Sequence, residues 1–486
     1  MNLRKYTRFC LVHGRLLIIA LLVGSLAFPL PAAGLTIKEE KEMSREFMKM
    51  VDRRFQLIRD PAIVDYVNSV GRRILKVVPP QPFKFGFFVI KEEVYNAFAS
   101  PAGQIFIYSG LLQAMENEDE LAGILAHEIG HVVSRHLAQR MSRQKKISMA
   151  SLAGMVAGVF LGAVAGSSAL GSAVTMGTQA AGQSAMLSFS RGDEIQADQL
   201  GILYMTKAGY DGRGMITMLR KIRARQWFGS NQVPSYLMTH PASEERLMYL
   251  GGWLASHKQL QRPAVDNDRF RMMHARLEAL YGDPDAALTD FRRQVKAHPD
   301  DAVAQYGYAL ALVRAGNRKA ATEHFRRALD QKAFDPDILV SMAKNYMDMG
   351  NLDEAMRILK GVASIAPRHL EGLYVLGKLN LEYGRAPQAI DNFKAILKQR
   401  HGKGYRKTLM LLGKAYDATG NQADAFYYLG LYYAQQRDLK NAMFQLERAL
   451  AVTKDADRRE KIEDILHRLG KARAEARRKK KEGQEG

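Results

Sequence analysis

Apolar and polar positions change rhythm several times along the 486-residue chain. A run of 13 apolar residues, Leu16 to Phe28, comes first. Short stretches rich in aromatic and β-branched residues follow at Phe83–Ile90 and Ile105–Tyr108, and this composition predicts strands. Leu121–Val133 predicts a helix with an uncharged surface around Ala126, Ile129, Gly130, Val132 and Val133. Asn117 and Glu120 read as its capping box, and Asp119 and Glu120 suit the positive end of its dipole. A second helix is predicted over Gly192–Tyr204. No charged residue occurs from Ile147 to Ser190, a stretch dominated by Gly, Ala, Ser and Met.

From Asp268 onward the pattern becomes periodic. Gly282, Gly316, Gly350 and Gly384 stand 34 residues apart, and Gly420 follows 36 later. Five residues after each comes an alanine (287, 321, 355, 389, 425), and nine after each a large apolar residue: Phe291, Phe325, Leu359, Phe393 and Leu429. Pro299 and Pro367 close two of the units. This is the period of tetratricopeptide repeats, in which small residues let paired helices approach and large ones fill the gap between pairs. It predicts about five units from Asp268 to Leu450, each with Gly ending its first helix, and then a capping helix over Asp457–Leu469. Such arrays curve into a solenoid with a concave peptide-binding face. Tyr306, Tyr346, Tyr374, Tyr416, Tyr427, Tyr428, Tyr432 and Tyr433 supply rigid aromatic area there, many of them as packing residues.

Charge and cysteine content narrow the setting. Arg4, Lys5, Arg8 and Arg15 precede the first apolar run, and Ala32, Ala33 and Gly34 follow it, which reads as a signal peptide over residues 1–34. The run is short for a membrane span. Cys10 is the only cysteine, so the mature chain holds no disulfide even in an oxidising compartment. The net charge is +21, and the tail 471–486 carries seven basic and three acidic residues. Export excludes nucleic acid and leaves anionic membrane surfaces or acidic partner segments as counterparts. The expected layout is a catalytic domain over 35–257, a linker over 258–267 containing Pro263, repeats over 268–470 and a basic tail. Within the first domain, 147–190 reads as a helical excursion beside the active site, able to cover it or touch lipid. The space between the two bodies is where repeats and active site would act on one chain.

His127-Glu128-Ile129-Gly130-His131 carries the chemistry. Residues four apart share a helix face, so both imidazoles can bind one zinc ion with Glu128 beside them as a base for water. Zinc needs a third protein ligand. A histidine six residues after His131 is absent, since Leu137 occupies that place and His136 is out of register and reads as a surface residue. The second helix supplies a carboxylate pair at the same spacing. Glu194 is assigned as the third ligand and Asp198 as the group that orients a ligand histidine through its other ring nitrogen. Asp193 has the wrong phase and is expected to face solvent. Zinc would lower the pKa of water and polarise a carbonyl, with Glu128 as general base.

Asn96-Ala97-Phe98-Ala99, Gly103, Gly110-Leu111, His127–His131, Glu194-Ile195-Gln196-Ala197-Asp198, Thr239-His240-Pro241 and Glu245-Arg246-Leu247 occur in an order that resembles the zinc metalloproteases related to HtpX and the CAAX-prenyl protease. With a signal peptide in front and helical repeats behind, the chain is most similar to the BepA-like periplasmic branch. The resemblance implies an α+β zincin-like (gluzincin) catalytic domain followed by an all-α solenoid, and one zinc held by His127, His131 and Glu194. It makes His240 the donor to the tetrahedral oxyanion. Alternatively, His240 occupies the open zinc position at rest and keeps the enzyme latent. Arg246 pairs with an active-site carboxylate or lies on the surface. Asn96, Ala97, Phe98 and Ala99 are candidate substrate-binding residues on a sheet edge where an extended chain adds as a strand. The resemblance also implies envelope quality control, with misassembled outer-membrane proteins as clients; the repeats are expected to reach the assembly machinery, and the basic charge suits peripheral membrane contact. The competing class is a non-catalytic chaperone with a structural or dormant zinc site.

Overall fold

The computed structural model describes residues 35–142, 189–228, 235–241, 244–260, 268–399 and 407–482. The leader, nearly all of the uncharged stretch and the Pro263 segment lie outside the described residues. Among those described, no helix is long and apolar enough to cross a membrane.

The first body opens with α1 (Ile37–Arg54), whose Thr36 and Glu39 form a complete capping box. After β1 (Leu57–Ile58), Asp60 caps α2 (Pro61–Leu75), with Pro61 in the first turn where its missing N–H costs nothing. β2 (Gly86–Ile90), β3 (Ala97–Ser100) and β4 (Gln104–Tyr108) complete a four-stranded sheet in the order β1-β2-β4-β3. β2 and β4 pair parallel, Phe87 opposite Ile105. β3 pairs antiparallel with β4, Phe98 opposite Phe106, and forms an edge. The predicted strand at Phe83–Ile90 begins three residues late, at Gly86.

Helices follow: α3 (Ser109–Gln113), α4 (Glu118–Val133), α5 (His136–Ser142), α6 (Arg191–Lys207), α7 (Arg213–Phe228), α8 (Ser235–Thr239) and α9 (Glu244–Ser256). Asn117 caps α4, accepting from Glu120 N at 3.0 Å. The other half of the expected box is not made. The Glu120 carboxylate accepts from Glu116 N at 2.8 Å and holds Lys221 at 2.9 Å instead.

Strand alternation divides the core. Ile105 and Ile107 face α2, α4 and α7, whereas Phe106 and Tyr108 face α1. On that second side Phe98 stacks on Phe106 at 5.0 Å, and Phe47 meets both rings edge-on. α4 and α6 cross so closely that a Cβ on Gly130 would lie 2.7 Å from the Ala197 carbonyl oxygen, and one on Gly201 3.0 Å from His127 N. Glycine at both points lets the two helix backbones touch, and this crossing carries the second helix's carboxylates onto the histidines.

The repeats pair α10 (Asp268–Tyr281) with α11 (Pro284–Ala297), α12 (Ala302–Arg314) with α13 (Arg318–Gln331), α14 (Pro336–Asp348) with α15 (Leu352–Ile365) and α16 (Leu370–Glu382) with α17 (Ala386–Lys398). Then come α18 (Thr408–Ala418), α19 (Gln422–Gln435), α20 (Leu439–Val452) and α21 (Ala456–Glu482). Gly316, Gly350, Gly384 and Gly420 sit in the left-handed turns after their helices, at φ 83°, 79°, 68° and 75°. The array is longer than the glycine count suggests. α19 closes the α18 unit and also opens another with α20: a Cβ on Gly413 would meet Leu429, and one on Gly430 would meet Leu446. Arg437, at φ 61°, takes the left-handed position in the second of these turns, so the glycine signal is missing there. The last helix also runs on to Glu482, taking in most of the basic tail. Tyr306, Tyr346 and Tyr416 are buried in the array, while Tyr374, Tyr427, Tyr428, Tyr432 and Tyr433 are half-buried.

Arg437→Gly is expected to stabilise the protein by up to about 1 kcal/mol. Left-handed backbone costs an L-residue roughly 1–2 kcal/mol, and glycine's unfolded freedom returns about 0.5–1 of it. A urea midpoint that rises at unchanged m checks this; an unchanged or lower midpoint contradicts it.

The two bodies share α10. Its Phe270, Met273 and Leu277 belong to the first core, and its Met272, Ala275 and Ala279 to the repeat core. Arg276, on the same helix, is buried and ties Asp60 at the start of α2 to Glu371, Tyr306 and Ser341 of the repeats. The repeat face is thus partly filled by the chain's own α2. Described residues of both bodies line clefts of about 440 and 650 Å³.

Candidate metal centre

α4 presents His127, Glu128 and His131 on one face, all buried. α6 begins at a Ser190–Asp193 capping box, which fixes its first turn and presents Glu194 and Asp198 on one face. His240 follows α8, its N–H bonded to Tyr236 O at 2.8 Å and its ring stacked on Tyr236 at 4.7 Å. Ligand atoms of His127, His131, Glu194 and His240 all lie within 4.8 Å of one another. The separations run from 2.9 Å for His240 Nδ1 to Glu194 Oε1, through 3.0 Å for His127 Nε2 to His131 Nε2, to 3.4 and 3.5 Å for Glu194 to His131 and His127.

The donor set fits a cation. Nδ1 of His127 is bonded to Asp198 Oδ1 at 2.8 Å and Nδ1 of His131 to His136 at 2.9 Å. The two Nε2 atoms face each other at 3.0 Å, a separation at which both can reach one metal ion. Both oxygens of Glu128 are buried, and Nε2 of His240 is buried with no hydrogen-bond partner among the described residues. His240 Nε2 lies 3.7 Å from Glu128.

The surroundings set the charges. Burial pushes the Glu128 carboxyl up, and the charges of His240 and His127 offset this only in part. Burial opposes ionisation of Glu194, but His240 and the Arg246 guanidinium outweigh it and hold the group well below the usual range. Asp198 falls to about 2 for the same reason, with Arg246 the largest opposing influence on burial. Arg246 reaches Asp198 at 2.7 and 2.8 Å and Glu194 at 2.7 Å. Tyr249 also bonds Asp198. Burial keeps His131 below the usual histidine value, whereas for His127 the Asp198 bond overcomes burial and raises it.

Two side chains differ from their sequence reading. His136 is not on the surface: it is 1 % exposed and bonded to His131 and Gln196. The left-handed turn at Arg135 (φ 53°) breaks the helix, so register arguments from α4 do not reach it. Asp193 is only half-exposed, lying 3.9 Å from His136 Nε2 while capping α6. The sequence also gave no sign of Phe189. Its ring covers His131 at 4.0 Å and His240 at 5.0 Å, and its N–H bonds Thr239 O at 3.0 Å.

Asn96, Ala97, Phe98 and Ala99 lie on or beside the edge strand, but all four are buried. Phe98 points to the α1 side, while Ala97 and Ala99 pack on the α4 side. Ala99 shares with His131 and Phe189 a cavity of about 20 Å³, room for little more than one water. Among the described residues, these two clefts share no lining residue with the metal cluster.

Residues 64–254 match peptidase family M48, and residues 272–336 and 315–379 match tetratricopeptide repeats. The chain thus carries a peptidase M48 domain, with a tetratricopeptide-repeat array behind it. Among its relatives, the beta-barrel assembly-enhancing protease of Escherichia coli K12 is 27% identical over 428 residues, covering 87% of this chain and 79% of that one. The protein of the same name from Yersinia pestis is 27% identical over 356 residues, 71% and 72% of the two chains. A putative one from Vibrio cholerae is 32% identical over 282 residues, 57% of each.

Proposed function

We propose that this chain is a periplasmic zinc endopeptidase that acts in outer-membrane protein quality control, with its repeats recruiting unfolded or misassembled clients and reaching the assembly machinery. The observation that carries the chemistry is the convergence of His127, His131 and Glu194 beside a fully buried Glu128. In this reading those three hold one zinc ion, and Asp198, itself held by Arg246, orients His127. The metal, when bound, polarises the scissile carbonyl and makes water acidic enough to attack. Glu128 takes the proton of that water and returns it to the leaving amine, which suits a carboxyl whose pKa burial has raised. The name of the relatives, beta-barrel assembly-enhancing protease, supports the client class. An exported protein with these clients sits in the periplasm, and its basic surface suits peripheral contact with anionic lipid.

The site as described is closed, which favours the latent reading of His240. Its ring fills the corner of the cluster opposite the α4 histidines and is fully buried, and the space beside Ala99 is too small for a peptide. His240 and Phe189 must move before a substrate strand can align along β3. His240→Ala is therefore expected to cleave casein several-fold faster than wild type, and chelator should abolish cleavage by both. A variant no faster than wild type removes latency and leaves His240 as an oxyanion donor. Cleavage insensitive to chelator removes the metallopeptidase mechanism.

A further inference from the structure

Each α4 histidine in the cluster turns its Nε2 toward the site, so holding a metal there requires the proton on its Nδ1. For His127 the acceptor is a carboxylate, Asp198, itself bonded to Arg246. For His131 it is a second imidazole. His136 Nδ1 lies 2.9 Å from His131 Nδ1, and His136 Nε2 lies 2.8 Å from Gln196 Oε1. Two facing ring nitrogens can share only one proton, so the direction of this chain decides whether His131 keeps a lone pair for a metal. Asp193 Oδ1, 3.9 Å from His136 Nε2, sets the direction. A carboxylate beside Nε2 together with the Gln196 carbonyl favours N–H at that position. Nδ1 of His136 is then the acceptor, His131 Nδ1–H the donor, and His131 Nε2 is free.

We propose that His136 is a positioning residue that fixes the tautomer and ring orientation of His131 through this relay from Gln196. The inference rests on reading His131 as a metal ligand. Its geometry depends on the break between α4 and α5. In an unbroken helix a residue five places on points elsewhere, but Arg135 in the left-handed region turns the chain back, and its guanidinium Nε anchors to Glu40 Oε1 of α1 at 2.7 Å. The two histidines are thereby backed unequally, His127 by a carboxylate and His131 by a second imidazole.

Two measurements on the purified full chain test this. In metal-free protein with ¹⁵N-labelled histidine, His131 should appear as the Nδ1–H tautomer and His136 as the Nε2–H tautomer. The opposite tautomer at His131 overturns the relay. Zinc affinity by chelator competition is the second measurement. His136→Asn places an amide oxygen where Nδ1 stands and is expected to stay within about threefold of wild type. His136→Gln reaches toward Gln196 but leaves His131 without its acceptor, and is expected to lose roughly 10–100-fold in affinity. Equal losses in both folded variants overturn the proposal, because packing alone would account for them. If wild type binds no zinc while the tautomers hold, the metal reading fails and the hydrogen-bond relay stands.

Discussion

Glu128→Gln is expected to lower casein cleavage by roughly 10²–10⁴-fold, the usual range for loss of a general base, while helix content and zinc uptake stay at wild-type levels. The size follows from the environment. Both carboxylate oxygens of Glu128 are buried, and an amide oxygen can still meet the Ala99 backbone N–H beside them, so the exchange leaves its neighbours in place. Glutamine keeps the volume and removes only the ability to take a proton. The loss should appear in kcat, with KM little changed, because the carboxylate acts on the attacking water and not on the bound chain. Wild-type turnover in this variant would leave the proposed chemistry without its base and return the chaperone reading to first place.

Arg276→Met is expected to destabilise the protein by about 3–5 kcal/mol at pH 7, the cost of removing one partner from a buried ionic cluster. Arg276 Nε and Nη2 engage Asp60 at 2.8–3.0 Å, Nη2 reaches Glu371 at 3.1 Å, and Nη1 meets Tyr306 at 3.0 Å. Methionine fills much of the space but leaves Asp60 buried without the guanidinium and Glu371 with Lys344 alone. The pH dependence gives a second signature. Burial alone would raise Glu371, yet Arg276 and then Lys344 outweigh it and bring the group to about 2, against roughly 4.3 in an unfolded chain. A depressed carboxyl contributes stability that is complete above its unfolded value and is lost as pH falls toward its folded value. The gap between wild type and variant should therefore be widest near neutrality and shrink between about pH 4.3 and about 2. Thermal unfolding at pH 7 and pH 3 checks it. A gap that does not change with pH would mean that packing, not charge, joins α2 to the repeats.

Much of this architecture is legible in the sequence because it repeats at short range. Residues four apart on α4 and again on α6 share a face whatever surrounds them, and the 34-residue recurrence of glycine, alanine and a large apolar residue marks the helix pairs from Gly282 to Gly420. The parts that resist reading depend on tertiary neighbours or on a broken rule. His136 lies beyond a left-handed turn whose Arg135 is anchored to Glu40 and to the Leu35 carbonyl. Arg246 becomes a central cation only when α9 packs against α6, which brings it to Glu194 and Asp198. Phe189 closes the cluster from a position with no periodic pattern around it. Arg437 adopts a conformation that glycine takes elsewhere, so the α19–α20 pair carries no glycine signal. The partial filling of the repeat face by α2 follows from Asp60 and Arg276, which lie 216 residues apart, beyond any local pattern.

The most direct test is anomalous diffraction at the zinc absorption edge from crystals of the zinc-loaded protein. The account predicts one peak per chain, about 2.0–2.2 Å from His127 Nε2, His131 Nε2 and a Glu194 oxygen, the distances zinc adopts with such ligands. A peak elsewhere, or none at this cluster in protein that has taken up zinc, would contradict it.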